Sequence, residues 1–96
     1  MRFMDEAAAV AAIRYARGSV VTAHVDAVDF RDSVPIGAFL EASARVIAVG
    51  RTSMMVEVIL ESEDRHTAER TITTTGRFVF VAIDADGHPR DVTPHA

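Results

Sequence analysis

Two neighbouring carboxylates stand at the start of an alanine-rich run near the beginning of the sequence. Asp5 and Glu6 come directly before five alanines and one valine. At helical spacing Asp5 shares a face with Ala8 and Ala12, so its carboxylate sits among small apolar groups. Partial burial there would raise the pKa of Asp5. The alternative is an ordinary acidic first turn, which the helix dipole and the unpaired N–H groups of a helix start both favour.

A second polar group is the sequence Gly50-Arg51-Thr52-Ser53, which lies between two segments of alternating apolar residues. A glycine allows another group to approach the backbone closely, and arginine and hydroxyl groups can bind phosphate oxygens or other polar atoms of a ligand. A tight hairpin turn with solvent-exposed side chains explains the same residues equally well. The pattern leaves both interpretations open.

The other polar residues argue against metal and triad chemistry. Cysteine is absent, and no serine has the setting of a nucleophile elbow. None of the histidines lies at metal-ligand spacing from another: His24, His66, His88 and His95. Asp84, Asp86 and Gly87 imitate the start of a calcium loop, but the later acidic ligands are missing, so a turn explains them better. We predict no metal and no resident cofactor.

One helix and four strands are predicted from periodicity and turn signals. Strong helix formers cover residues 3–16, and Arg17-Gly18 stops them. The helix is mostly lined by methyl groups, which predicts close packing against a sheet. Alternating and β-branched residues predict strands at 20–30, 39–49, 53–63 and 69–83.

The connections complete a predicted α+β fold. Asp32, Ser33, Pro35 and Gly37 mark one turn, residues 84–89 mark another, and the last residues read as a loose tail. One helix followed by an antiparallel meander segregates helix from sheet. A strongly twisted sheet of long strands can curl around the helix, and its open edges favour pairing with a second copy.

Composition indicates a single small domain over residues 1–96. Hydrophobic residues make up 49% and charged residues 25% of the chain, which fits one core. A chain this short buries only about 60 to 65% of its unfolded surface, so a partner subunit would add burial.

The net charge of −4 without a basic stripe argues against binding to nucleic acid. No apolar stretch suits a membrane span or a secretory signal, so we expect a cytoplasmic location.

Four stretches of the sequence resemble the hot-dog acyl-CoA thioesterases of the acyl-CoA hydrolase type. They are residues 3–8, 21–30, 49–54 and 78–84, and they occur in the family's order and at similar spacings. The resemblance spans nearly the whole chain and implies one long helix wrapped by a curved antiparallel sheet. The family's usual first strand, an Asn-bearing loop and a Gly-Gly pair are absent, because this sequence begins within the helix region.

The resemblance also implies roles for the polar residues. Asp5 would activate water as a general base or attack the thioester carbonyl as a nucleophile, and the sequence leaves both mechanisms open. Backbone N–H groups at the same helix end could stabilise an oxyanion. The residues Gly50, Arg51, Thr52 and Ser53 match a segment near bound coenzyme A. Thr22 would face the acyl site, unless it is an ordinary strand former.

The implied activity is hydrolysis of an acyl-CoA thioester to a free acid and coenzyme A, with the acyl-CoA lying between subunits of a homo-oligomer. That oligomer is expected to be a dimer or a trimer of dimers. A shortened hot-dog subunit that binds acyl-CoA, or serves as an assembly module without turnover, is the alternative. The phenylacetyl-CoA type of hot-dog thioesterase is a third possibility. The hot-dog dehydratases are disfavoured, because they need a histidine where Val10 stands.

Overall fold

The computed structural model describes residues 2–30 and 37–92. Its elements are α1 (Arg2–Ala16), β1 (Val20–Phe30), β2 (Phe39–Val49), β3 (Ser53–Glu63) and β4 (Arg70–Ala82). The predicted α+β class is confirmed, as are all five predicted elements to within one residue at each end. The predicted turn through Asp32, Ser33 and Pro35 lies outside the described residues, as does the end of the predicted tail at 93–96.

The strands form one antiparallel sheet in the order β1-β4-β3-β2. β2, β3 and β4 follow one another as the predicted meander, but β1 pairs with β4 rather than with β2. Alternation within a strand specifies the face that it buries and does not specify its neighbour, so the sequence could not show this pairing. Both β1 and β2 are therefore edge strands.

A stripe of small residues on α1 packs against the inner face of the sheet. Met4, Ala8, Ala12 and Ala16 recur every four residues and are all buried, as helical periodicity requires. The sheet side of this core consists of Met54, Val56, Val58, Phe78, Phe80 and Ala82. Methyl side chains allow the helix backbone to lie close to the sheet, which confirms the packed helix that the alanine run predicted. In the part of the chain that the structure describes, no helix is long and apolar enough to cross a bilayer.

The residues after β4 turn back and pack on the sheet, so the prediction of a loose tail is wrong up to residue 92. The Asp84 carboxylate accepts hydrogen bonds from the backbone N–H groups of Asp86 and His88, both at 2.9 Å. Gly87 takes a left-handed conformation with φ of 84°, as the predicted Asp-Gly turn requires. Val92 is then buried in the core. A lone valine in a polar segment gave no periodicity from which to predict this.

The turn between β3 and β4 is held by the carboxylate of Asp64. Its Oδ1 accepts hydrogen bonds from the backbone N–H groups of Thr67 at 3.0 Å and His66 at 2.8 Å. These bonds, that of Thr67 first, lower the pKa of Asp64 below its ordinary value of 3.8. The charged form is stabilised in the folded state, so this contribution to stability is present above about pH 4 and is lost as the pH falls through the lowered pKa.

We expect Asp64→Asn to be less stable than the wild type at neutral pH, with the difference closing in acid. Urea unfolding at a series of pH values measures this difference. A matched control is Asp86→Asn, because Asp86 lies in the other Asp-bearing turn and its carboxylate accepts no hydrogen bond from the described residues. A difference for Asp64→Asn that stays constant from neutral to acidic pH would show that the charge of the carboxylate plays no part.

Candidate active site

Asp5 lies in the first turn of α1, beside the buried stripe. At 100° per residue it points in nearly the same direction as Ala12, as the sequence predicted, and as Ala16. Its side chain is nevertheless exposed, so the predicted partial burial is wrong for the single chain. The reason is that α1 contacts β1 least of the four strands, which leaves this flank of the helix uncovered.

A groove of about 670 Å³ runs along the other flank of α1, between the helix and β2. Ala7, Ala11 and Arg14 of the helix line it, together with Ala44 and Val46 of β2 and neighbouring residues. Two residues of helix rotate a side chain by about 200°, which puts Ala7 on the side of the helix opposite to Asp5. This groove and the candidate carboxylate are therefore separate features.

The inner face of β1 is open next to the Asp5 flank. Thr22 stands opposite Phe80 and Val25 opposite Phe78, and opposed residues of an antiparallel pair project to the same face. Phe78 and Phe80 are buried, whereas Thr22 and Val25 are exposed. The structure therefore places Thr22 on the same side of the sheet as α1, on a surface that a single chain leaves uncovered.

The turn Gly50–Ser53 joins β2 to β3, and its backbone is held at three points. The Gly50 N–H donates to the Ser53 carbonyl at 2.8 Å, the Ala82 N–H to the Thr52 carbonyl at 2.9 Å, and the Val92 N–H to the Arg51 carbonyl at 2.8 Å. The turn that the sequence offered as one interpretation is thus present. Its role in ligand binding stays a prediction.

A side chain at the first residue of this turn would have to displace the Ser53 hydroxyl, and the second residue of the turn exposes an arginine. A Cβ at Gly50 would lie 2.8 Å from the hydroxyl oxygen of Ser53, closer than such atoms approach. The Arg51 side chain is 87% exposed, and its Nε donates to Asp91 at 3.2 Å. The turn therefore presents a guanidinium to solvent from a rigid backbone.

Asp5 and this turn lie at opposite ends of α1. Residues 90–92, which bind the Gly50–Ser53 turn, also bind the end of α1. The Arg90 Nη2 donates a hydrogen bond to the Ala16 carbonyl at 2.9 Å. Ala16 follows Asp5 by eleven positions, which corresponds to about 16 Å along the helix axis. A ligand that meets both groups must be long, or it must lie between two chains.

The turn after β4 brings together three side chains of types that can bind metals, Asp84, Asp86 and His88, whose carboxylate oxygens and ring nitrogens lie within 4.8 Å of one another. All three residues are exposed, and the Asp84 carboxylate is already hydrogen-bonded to the backbone of its own turn. The turn geometry accounts for this cluster without an ion.

One helix packed on a curved four-stranded antiparallel sheet is the arrangement of the hot-dog fold. The family model of the thioesterase superfamily matches residues 1–69, and the chain belongs to this family. A Zymomonas mobilis protein named as an uncharacterized acyl-CoA thioester hydrolase is 42% identical over 94 residues, which cover 98% of this chain and 63% of that protein.

Solved structures agree with this assignment. An apo-hexameric acyl-CoA thioesterase has a TM-score of 0.93 and 42% identity, over 97% of this chain and 60% of its own. An acyl-CoA hydrolase from Staphylococcus aureus, in complex with butyryl coenzyme A, coenzyme A and coenzyme A disulfide, has a TM-score of 0.92 and 34% identity, over 98% and 57%. This chain therefore spans less than two thirds of the length of each of these relatives.

Proposed function

We propose that this chain hydrolyses acyl-CoA thioesters to a free acid and coenzyme A. The proposal rests on the position of Asp5. This acidic residue lies on the flank of the central helix that is next to the exposed inner face of β1. The complex of the Staphylococcus aureus relative with butyryl coenzyme A and coenzyme A supports an acyl-CoA as substrate.

The proposed chemistry needs the Asp5 carboxylate in its charged form. As a general base, it accepts a proton from water while the water oxygen bonds to the thioester carbonyl carbon. As a nucleophile, the carboxylate oxygen attacks that carbon itself, and water then hydrolyses the acyl-enzyme. In both routes the carbon–sulfur bond breaks, and coenzyme A leaves as a thiolate that takes up a proton. Backbone N–H groups at the start of α1 can stabilise the oxyanion.

We propose that the active form is a homo-oligomer in which a second chain covers the Asp5 flank. Asp5, Thr22 and Val25 are all exposed in the single chain, and a reacting thioester needs a site from which bulk water is excluded. β1 is an edge strand with one side unpaired, which suits it to pairing. The hexameric state of one solved relative supports assembly. A dimer and a trimer of dimers both satisfy the geometry.

The experiment that tests the function is a thioesterase assay with thiol detection over a panel of acyl-CoA chain lengths, including phenylacetyl-CoA. Release of thiol supports hydrolysis. Binding without turnover is the second candidate function, and the exposure of Asp5 is the observation that favours it. Tight binding of acyl-CoA with no thiol release across the panel would establish this second function. The cytoplasmic location and the lack of a cofactor stay predictions from the sequence.

Arg51 is proposed to bind a phosphate group of coenzyme A, and Arg51→Ala tests this. We expect the KM for acyl-CoA to rise about tenfold, the usual effect of losing one hydrogen bond to a charged group. The kcat should change little, because Arg51 lies far from Asp5. An acyl-pantetheine substrate lacks the phosphates of the nucleotide, so its KM should be the same in the variant and the wild type.

The matched control is Arg65→Ala, which removes an exposed arginine from the turn between β3 and β4. It should leave the KM of both substrates unchanged. An equal rise in KM for acyl-CoA and acyl-pantetheine in Arg51→Ala would contradict a phosphate contact.

A further inference from the structure

Arg90 connects the end of the helix to the end of the sheet. Its Nη2 donates to the Ala16 carbonyl at 2.9 Å, and its Nε donates to the Ile83 carbonyl at 3.3 Å. Its backbone N–H donates to the Ala82 carbonyl at 2.9 Å. A cation at a helix C-terminus satisfies carbonyls that lack helical partners and complements the negative end of the helix dipole. This guanidinium therefore holds the end of α1 to the residue that follows β4 through backbone carbonyls.

The two residues after Arg90 hold the turn Gly50–Ser53. The Val92 N–H donates to the Arg51 carbonyl at 2.8 Å, and the Asp91 carboxylate accepts from the Arg51 Nε at 3.2 Å. The Val92 side chain is buried, with 6% of its surface exposed. The segment 90–92 thus contacts α1 at one end and both the backbone and the side chain of Arg51 at the other.

We propose that Arg90 is a positioning residue for the substrate-binding turn. It fixes the place of Arg51 relative to α1 without touching the substrate, and this inference rests on the proposed function of the Gly50–Ser53 turn. The planar guanidinium has donors that point in several fixed directions, so one side chain can bind the Ala16 and Ile83 carbonyls together. A lysine ammonium has no such fixed fork, so lysine should not replace it.

Gly18 provides the space in which the Arg90 guanidinium lies. A Cβ at position 18 would be 2.6 Å from the Arg90 Nη2, which forces one of the two groups to move. Gly18 is not one of the residues with a positive φ, so its backbone accepts alanine. The group that has to move is the far end of a flexible side chain. Gly18→Ala therefore displaces the guanidinium while keeping its charge.

The test compares Arg90→Ala, Arg90→Lys and Gly18→Ala with the wild type and with the control Arg65→Ala. In all three test variants we expect the KM for acyl-CoA to rise about three- to tenfold and kcat to stay close to the wild-type value. We also expect the Val92 amide to exchange its hydrogen faster, since the hydrogen bond to the Arg51 carbonyl opens more often. Arg65→Ala should change none of these quantities.

The outcomes separate this inference from the proposed function. If the wild type releases no thiol from any acyl-CoA, the proposed activity fails, and the dissociation constant of coenzyme A replaces KM as the measure of positioning. If Arg51→Ala weakens binding but Arg90→Ala and Gly18→Ala leave both binding and Val92 exchange unchanged, the inference is overturned. The inference would also be overturned if kcat in the test variants fell by as much as KM rose and if Gly18→Ala had a lower unfolding midpoint. Arg90 would then have only a structural role.

Discussion

Asp5→Asn is expected to lower kcat for acyl-CoA hydrolysis by about 10² to 10⁴, the usual cost of removing a general base. Asparagine has the same shape, but its amide neither accepts the proton of the attacking water nor attacks the carbonyl carbon. Asp5 is exposed in the single chain, so the variant should fold as the wild type does, and because asparagine keeps the shape of aspartate, it should also assemble. Steady-state kinetics, circular dichroism and sedimentation of the variant measure these three properties.

The matched control for this variant is Glu6→Gln, which makes the same change of charge one residue further along. Glu6 lies about 100° around the helix from Asp5, so we expect Glu6→Gln to leave kcat unchanged. Unchanged activity in Asp5→Asn would remove Asp5 from the mechanism. An equal loss in both variants would attribute the effect to the net charge of the helix start rather than to one carboxylate.

Strand β3 was predictable because it has one buried and one partly exposed face. In β3 the residues Met54, Val56 and Val58 alternate with partly exposed ones, and this period of two specifies a half-buried strand. On α1 the buried residues recur every four positions, as a helix packed on one side requires, and the alanine run predicted that the helix is packed. Patterns of this kind are local, and local patterns specify elements and their buried faces.

The candidate site was only partly predictable, because its surroundings are not local. The sequence identified Asp5 and its small neighbours, but the exposure of Asp5 depends on how far α1 lies from β1, and that distance follows from the whole sheet. The contacts of Arg90 were missed for a similar reason. Its partners are the carbonyls of Ala16 and Ile83, and backbone carbonyls carry no signature in the sequence.

Phe78→Ala is expected to lower the free energy of unfolding by about 3 to 5 kcal/mol, the usual cost of removing a buried aromatic ring. Phe78 is fully buried on the inner face of β4, between Val56 of β3 and Val25 of β1. Small side chains on the facing helix cannot expand into the space that the ring leaves, so a cavity should remain. Urea unfolding of the wild type and the variant at one protein concentration measures the difference.

Phe39→Ala is the control for this prediction, because the same side chain is 62% exposed there. Phe39 lies at the start of the edge strand β2, opposite Glu63, and its removal should cost less than about 1 kcal/mol, as is usual for surface positions. Equal costs at the two positions would contradict the packing of the core. A large cost at Phe39 that shrinks when the protein is diluted would instead show that a second chain covers this edge, since stability from association depends on concentration.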